Sequence, residues 1–106
     1  MSTHQIDGLT VTVDADAPRV RDIDLAVRLG YERPRAIRDL IERLITSKNL
    51  NGSEVRRTVR QTSERGGRPA TEYWLTEEQA LMVVARSETP KATEILRAVI
   101  DVFMAV

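Results

Sequence analysis

Arginine is the residue whose chemistry dominates this chain. Residues 28–70 hold eleven lysines or arginines against five acids, a net charge of +6, and ten of the eleven are arginine. The segments on either side each carry −3, so the whole chain is neutral. A planar guanidinium presents a rigid fork of donors that matches phosphate oxygens and base edges. Because position matters more than the total, a cationic segment between two acidic ones is the electrostatic footprint of a polyanion binder. Part of it can equally be a solvated face with local ion pairs: Arg35 and Asp39, and Arg38 and Glu42, are each spaced i, i+4.

Little else in the sequence could do chemistry. His4 is the only histidine and sits near the terminus, where a solvent-exposed ring is a better reading than a base or ligand. Asp14, Asp16, Asp22 and Asp24 sit in pairs two apart, but no calcium-loop spacing follows, and turn and cap duties explain them better. No cysteine is present, so disulfides, thiolate metal sites and redox centres are excluded. No serine or threonine has a histidine or lysine partner at a recognisable spacing, and no glycine-rich phosphate loop exists. The expectation is a non-enzyme without metal or cofactor.

The elements that must position the arginines follow from periodicity. Ile37, Leu40, Ile41, Leu44 and Ile45 recur at three and four, a single apolar stripe on a helix over 34–45. Pro34 suits its first turn, where the missing N–H has no partner to lose. Ile23–Leu29 is a shorter helical run stopped at Gly30, with Asp22 or Asp24 available as its cap. Two short helices joined by a tight glycine-containing turn read as a helix-turn-helix. Val55–Thr62 then alternates as a strand, residues 63–70 (SERGGRPA) form a tip, and Thr71–Leu75 returns. That hairpin reads as a wing. Alternation puts Tyr73 and Leu75 on one of its faces and Trp74 on the other, so one ring is expected in the core and its neighbour partly exposed. Gly67-Arg68-Pro69 at the tip looks like an AT-hook core, which suits Arg68 to a narrow minor groove.

The flanks complete an α+β domain. The first three residues are expected to be disordered and 4–18 to supply a strand and loop, with Leu9, Val11 and Val13 alternating against Thr10 and Thr12 to make a half-buried strand; Asp7-Gly8 suits a two-residue hairpin turn, by which Thr3–Ile6 can pair back on it. The helix-turn-helix spans 22–45, the wing 53–75 and two C-terminal helices 76–106. Thr76–Gln79 is a capping box for the first of these. Thr89 and Pro90 mark the start of the second. Its apolar residues cover close to half the helical circumference, wider than one buried surface requires. Either two surfaces cover this helix or it pairs with a copy of itself, and a homodimer through Leu96, Val99, Ile100, Phe103 and Met104 is the expectation. No run approaches the roughly 20 apolar residues that cross a bilayer, so a cytoplasmic protein with no membrane partner is expected.

Residues from about 19 onward resemble phage- and prophage-encoded regulators of the Rha-like and antirepressor type. The resemblance rests on RVRDIDLAVRLGYERPRAIRDLIERL and on GGRPATEYWLTEEQALMVVARSETPKATEILRAVIDVFMAV. Gly67, Arg68, Tyr73, Leu75, Gln79, Ala80 and Phe103 occupy positions of that pattern, with Gly67-Arg68 to Tyr73 offset by one residue. It implies a winged helix-turn-helix regulator of bacterial or phage origin.

The combined expectation is a dimeric, sequence-specific binder of double-stranded DNA on a pseudo-palindromic operator. Arg33, Arg35, Ala36, Arg38 and Asp39 are expected near base edges. Arg43, Lys48, Arg56, Arg57, Arg60, Arg65 and Arg68 are expected on phosphates or in the wing. The alternative is a protein-interaction module that docks a host protein through the acidic flanks or the C-terminal apolar stripe.

Overall fold

Alternation over Leu9–Val13 makes a strand, and the segment before Gly8 (φ 79°) pairs back on it, Ile6 against Leu9. The computed structural model describes residues 2–6, 8–13, 17–60 and 70–105. In chain order these form β1 (Ser2–Ile6), β2 (Leu9–Val13), β3 (Pro18–Arg21), α1 (Asp22–Leu29) and α2 (Ala36–Thr46), followed by β4 (Arg56–Arg60), β5 (Ala70–Leu75), α3 (Glu77–Arg86) and α4 (Ala92–Met104). The strands make one antiparallel sheet in the order β1-β2-β3-β5-β4.

The class is α+β, but the sheet is larger than expected. Ser2 and Thr3 belong to β1, paired with Val13 and Thr12. The strand β3 was not legible, because only Val20 among its four residues is apolar. Pro18 opens it, the strand position where a missing N–H costs least. Val20 pairs with Val11 on one side and Leu75 on the other, so the three form an apolar row across the sheet. All three are fully buried in a core shared with residues of all four helices. Thr10 and Thr12 are buried too, so β2 is covered on both faces rather than half-exposed. Thr10 Oγ1 accepts from Gln5 Nε2 at 2.6 Å.

Neither aspartate is the N-cap residue of α1, which is Arg21, but Asp22 accepts one first-turn N–H as expected. Asp24 Oδ2 accepts the Thr10 N–H at 2.7 Å, just past the last β2–β3 pair, and Oδ1 takes Arg21 Nη2 at 3.0 Å. Asp22 is 0% exposed. Its Oδ1 accepts the N–H of Ile23 at 2.8 Å, its Oδ2 accepts Arg38 Nε at 3.0 Å, and the backbone of Tyr73 adds a further bond. One carboxylate thereby joins α1, α2 and β5.

Local signals end the helices as expected. Gly30 is left-handed (φ 84°); its N–H bonds Val27 O and that of Tyr31 bonds Ala26 O, both at 3.1 Å, a Schellman stop. In α2, Ile37, Leu40, Ile41 and Leu44 are buried and Ile45 half-buried. This helix begins at Ala36, two residues later than its sequence suggests. Arg33, Pro34 and Arg35 form a lead-in turn whose carbonyls accept from Ala36, Ile37 and Arg38. The Thr76–Gln79 capping box is present, and Gln79 Nε2 also reaches Glu54 O at 3.2 Å. Arg19 Nη1 donates to the same carbonyl at 3.3 Å and to Trp74 O at 3.2 Å, which clips the α2–β4 loop to the sheet. Thr89 does not cap α4; a turn over 89–91 precedes it.

The wide apolar surface of α4 has an internal explanation. Val99 and Phe103, expected at a dimer interface, are buried in the chain's own core together with Ile95 and Val102. Leu96 packs against that core and Ile100 is half-buried, while Met104 is 79% exposed. No helix among the described residues is long and apolar enough to cross a membrane.

Burial, the largest influence on Asp22, raises its carboxyl above the usual pKa, against the lowering effect of Arg38 and the backbone bonds. A raised native pKa means the folded state binds the proton more readily than the unfolded chain. The carboxylate's contribution to stability therefore declines as pH rises from the unfolded value of about 3.9 through the folded one. Asp22→Ala, which strands Arg38, is expected to lose about 3 kcal/mol in urea unfolding at neutral pH. The stability of the native protein relative to Asp22→Asn should fall as pH climbs above about 4. A gap moving the other way would contradict the assigned burial effect.

Candidate nucleic-acid interface

A helix buried along one stripe must present its opposite face to solvent. On α2 that face is the row Arg35, Asp39, Glu42 and Thr46, spaced four, three and four, every member exposed. Ala36 and Arg43 are exposed on one shoulder, and Arg33 is exposed in the lead-in turn.

The other shoulder is Arg38, and here the sequence-based assignment needs correction. Its side chain is 16% exposed and its Nε is bonded to the buried Asp22. A guanidinium spent on a buried carboxylate is held inward, so Arg38 leaves the set of candidate base-reading residues. Nothing local signals this, because Asp22 lies sixteen residues upstream.

Helix α2 packs on α1 and α3, and a chain of side-chain contacts links it to the β4–β5 hairpin. Tyr73 is buried in the core, and its hydroxyl donates to Glu42 Oε1 at 3.2 Å. Arg57, paired across the hairpin with Tyr73, lies over that ring at 5.6 Å from its centroid, within cation–π range. Burial and the nearby Glu42 carboxylate raise the Tyr73 pKa, while Arg57 opposes them. Charge thus alternates from hairpin to helix: cation, phenol, carboxylate. The link joins residues 31 apart, and no sequence pattern announces it.

Arg56 and Arg57 point to opposite faces, as strand alternation requires. Arg57 shares the Tyr73 face. Arg56 is half-buried and pairs with Trp74, which pairs in turn with Arg21 on the next strand. Trp74 is half-buried, and its Nε1 donates to Thr58 Oγ1 at 3.0 Å. Tyr73 is therefore the core ring of the two. Of Arg60 only the backbone, closing β4, is described; Arg65, Arg68 and the Gly67-Arg68-Pro69 tip lie outside the described residues.

Lys48 is exposed just past the end of α2, where it adopts φ 66°. Its N–H bonds Ile45 O and that of Asn49 bonds Leu44 O, a stop geometry that glycine usually supplies. It borders an open groove of about 1050 Å³ whose lining mixes Arg19, Lys48 and Arg56 with Glu54, Glu77 and Glu78. That mixture suits no single charge type. The outward face of α2 and the adjoining hairpin are the better candidate surface. Among the described residues, no group of three or more histidines, cysteines or carboxylates converges on a metal position.

No family model matches the chain, and neither the curated proteins nor the solved structures give a match.

A lysine in the left-handed region carries a steric cost of about 1–2 kcal/mol that glycine escapes, offset in part by glycine's larger backbone entropy. Lys48→Gly is therefore expected to raise unfolding stability by about 0.5–1 kcal/mol. Chemical denaturation checks this; an unchanged or lower stability would refute the strain assigned to Lys48.

Proposed function

We propose that the chain is a sequence-specific binder of double-stranded DNA that acts as a transcriptional regulator, with α2 entering the major groove and the β4–β5 hairpin serving as a wing. One observation carries this reading. Exposed Arg33, Arg35 and Arg43 lie on and before a helix whose outward row is tied, through Glu42 and Tyr73, to the hairpin bearing Arg57. The resemblance to phage-encoded regulators supports the regulatory role and a winged-helix description.

Roles follow from position. Arg33, Arg35, Ala36 and Asp39 lie nearest base edges, where a bidentate arginine–guanine contact contributes about 1–3 kcal/mol of discrimination. Arg43, Lys48 and Arg57 contact phosphates, which orient the protein without specifying sequence. The tip adds Arg65 and Arg68. Two copies joined through the outward residues of α4 would read half-sites about one helical turn apart.

A second reading, docking of a host protein, draws on the same outward row. It holds two carboxylates to one arginine, and the chain has no net charge. Ionic strength separates the two. If about five phosphates are neutralised, log affinity falls with log salt at a slope near −4.5. Arg35→Ala should weaken binding to a selected site more than to random duplex, whereas Arg57→Ala should weaken both alike. Anisotropy titrations at several salt concentrations give all three results. Absence of duplex binding at low salt would overturn the DNA reading in favour of the docking one.

A further inference from the structure

Glu42 sits where a duplex-binding helix would be expected to avoid negative charge. It is exposed in the centre of the outward row of α2, with Arg35 one heptad before it. A carboxylate there repels phosphate, so it needs a donor as partner if the face meets DNA at all. The fold also restrains it. Tyr73 has its ring in the core, its backbone bonded to Asp22 and Arg57 across its face, and its hydroxyl holds Glu42 Oε1 at 3.2 Å. The bond gives the hydroxyl of a buried residue its partner, and at the same time it gives a fixed position to an exposed, flexible side chain. Glu42 Oε2 takes no hydrogen bond from the described residues and stays open as an acceptor.

We infer that Glu42 is a specificity-determining residue whose carboxylate accepts a hydrogen bond from the N4 amino group of a cytosine in the major groove, an inference that rests on the DNA reading above. The base edges decide between candidates. Guanine O6 and N7 and thymine O4 are acceptors and repel a carboxylate. Adenine offers an N6 amino group but sets the N7 lone pair beside it. Cytosine alone presents an amino donor with no acceptor beside it on its own major-groove edge. Tyr73 acts as a positioning residue: it holds the acceptor in place before the duplex arrives, which lowers the ordering cost at binding.

Selection of bound sequences from a random duplex pool, run in parallel with the native protein, Glu42→Gln and Tyr73→Phe, tests this. The native protein should recover cytosine at one position of each half-site. Glu42→Gln should lose that preference by about tenfold and gain adenine at the same position, since an amide can pair with N6 and N7 together. Tyr73→Phe keeps the buried ring and should retain cytosine with weaker discrimination, at a thermal midpoint close to the native one. An identical site for the native protein and Glu42→Gln would overturn the assignment while leaving duplex binding intact. Failure of the native protein to enrich any sequence would overturn sequence-specific duplex recognition, and this inference with it.

Discussion

The buried carboxylate of Asp22 is the constraint around which the rest of the chain is arranged. A charge removed from water is tolerated only when donors replace its hydration. The donors come from three places: the first turn of α1, the middle of α2 and the backbone of β5. Each pins a different degree of freedom. The Ile23 bond fixes where α1 begins, Arg38 fixes the rotation of α2 about its axis, and Tyr73 holds the strand that leads out of the hairpin. An apolar residue of similar size could fill the space, but it would not choose among nearby rotations of α2 as a directional ion pair does.

That rotation decides which side chains face outward. With Arg38 turned in, the exposed row becomes Arg35, Asp39, Glu42 and Thr46, and the cationic groups on α2 move to its start and to the Arg43 shoulder. The linear charge count therefore overstates the basic surface. Within residues 28–70, Arg38 binds Asp22 and Arg56 lies on the opposite face of the hairpin from Arg57; before that segment, Arg19 clips a loop and Arg21 binds Asp24. Arginine serves in this chain as much for internal hydrogen bonding as for display, because its fork can satisfy two carbonyls at once, as Arg19 does.

The contact from Tyr73 to Glu42 gives the hairpin a defined relation to α2 without enlarging the core. It is a hydrogen bond at the rim, between a buried ring and an exposed carboxylate, so it orients more than it stabilises. Lys48 makes the complementary point at the far end of the helix. There the stop geometry is kept with a charged residue in place of glycine, a local cost accepted where a cation projects to solvent.

Much of the fold was legible in the residues themselves. Periodicity located the stripe of α2, Gly30 and the Thr76–Gln79 box marked helix ends, and alternation put Tyr73 and Leu75 on one face of the hairpin and Trp74 on the other. All of these are short-range patterns, governed by backbone geometry over three or four residues. What they could not reach depends on partners distant in sequence. The strand β3 exists because Val20 is flanked by Val11 and Leu75. The broad apolar surface of α4 is largely spent inside the chain, and Arg38 faces inward because Asp22 waits there. The sequence by itself determined the four helices, the hairpin and the apolar stripe of α2; only tertiary structure decided the extra strand, the second covered face of β2, and which polar side chains are consumed within, because a buried charge is settled by whichever donor the packed chain brings to it, and no local spacing encodes that meeting.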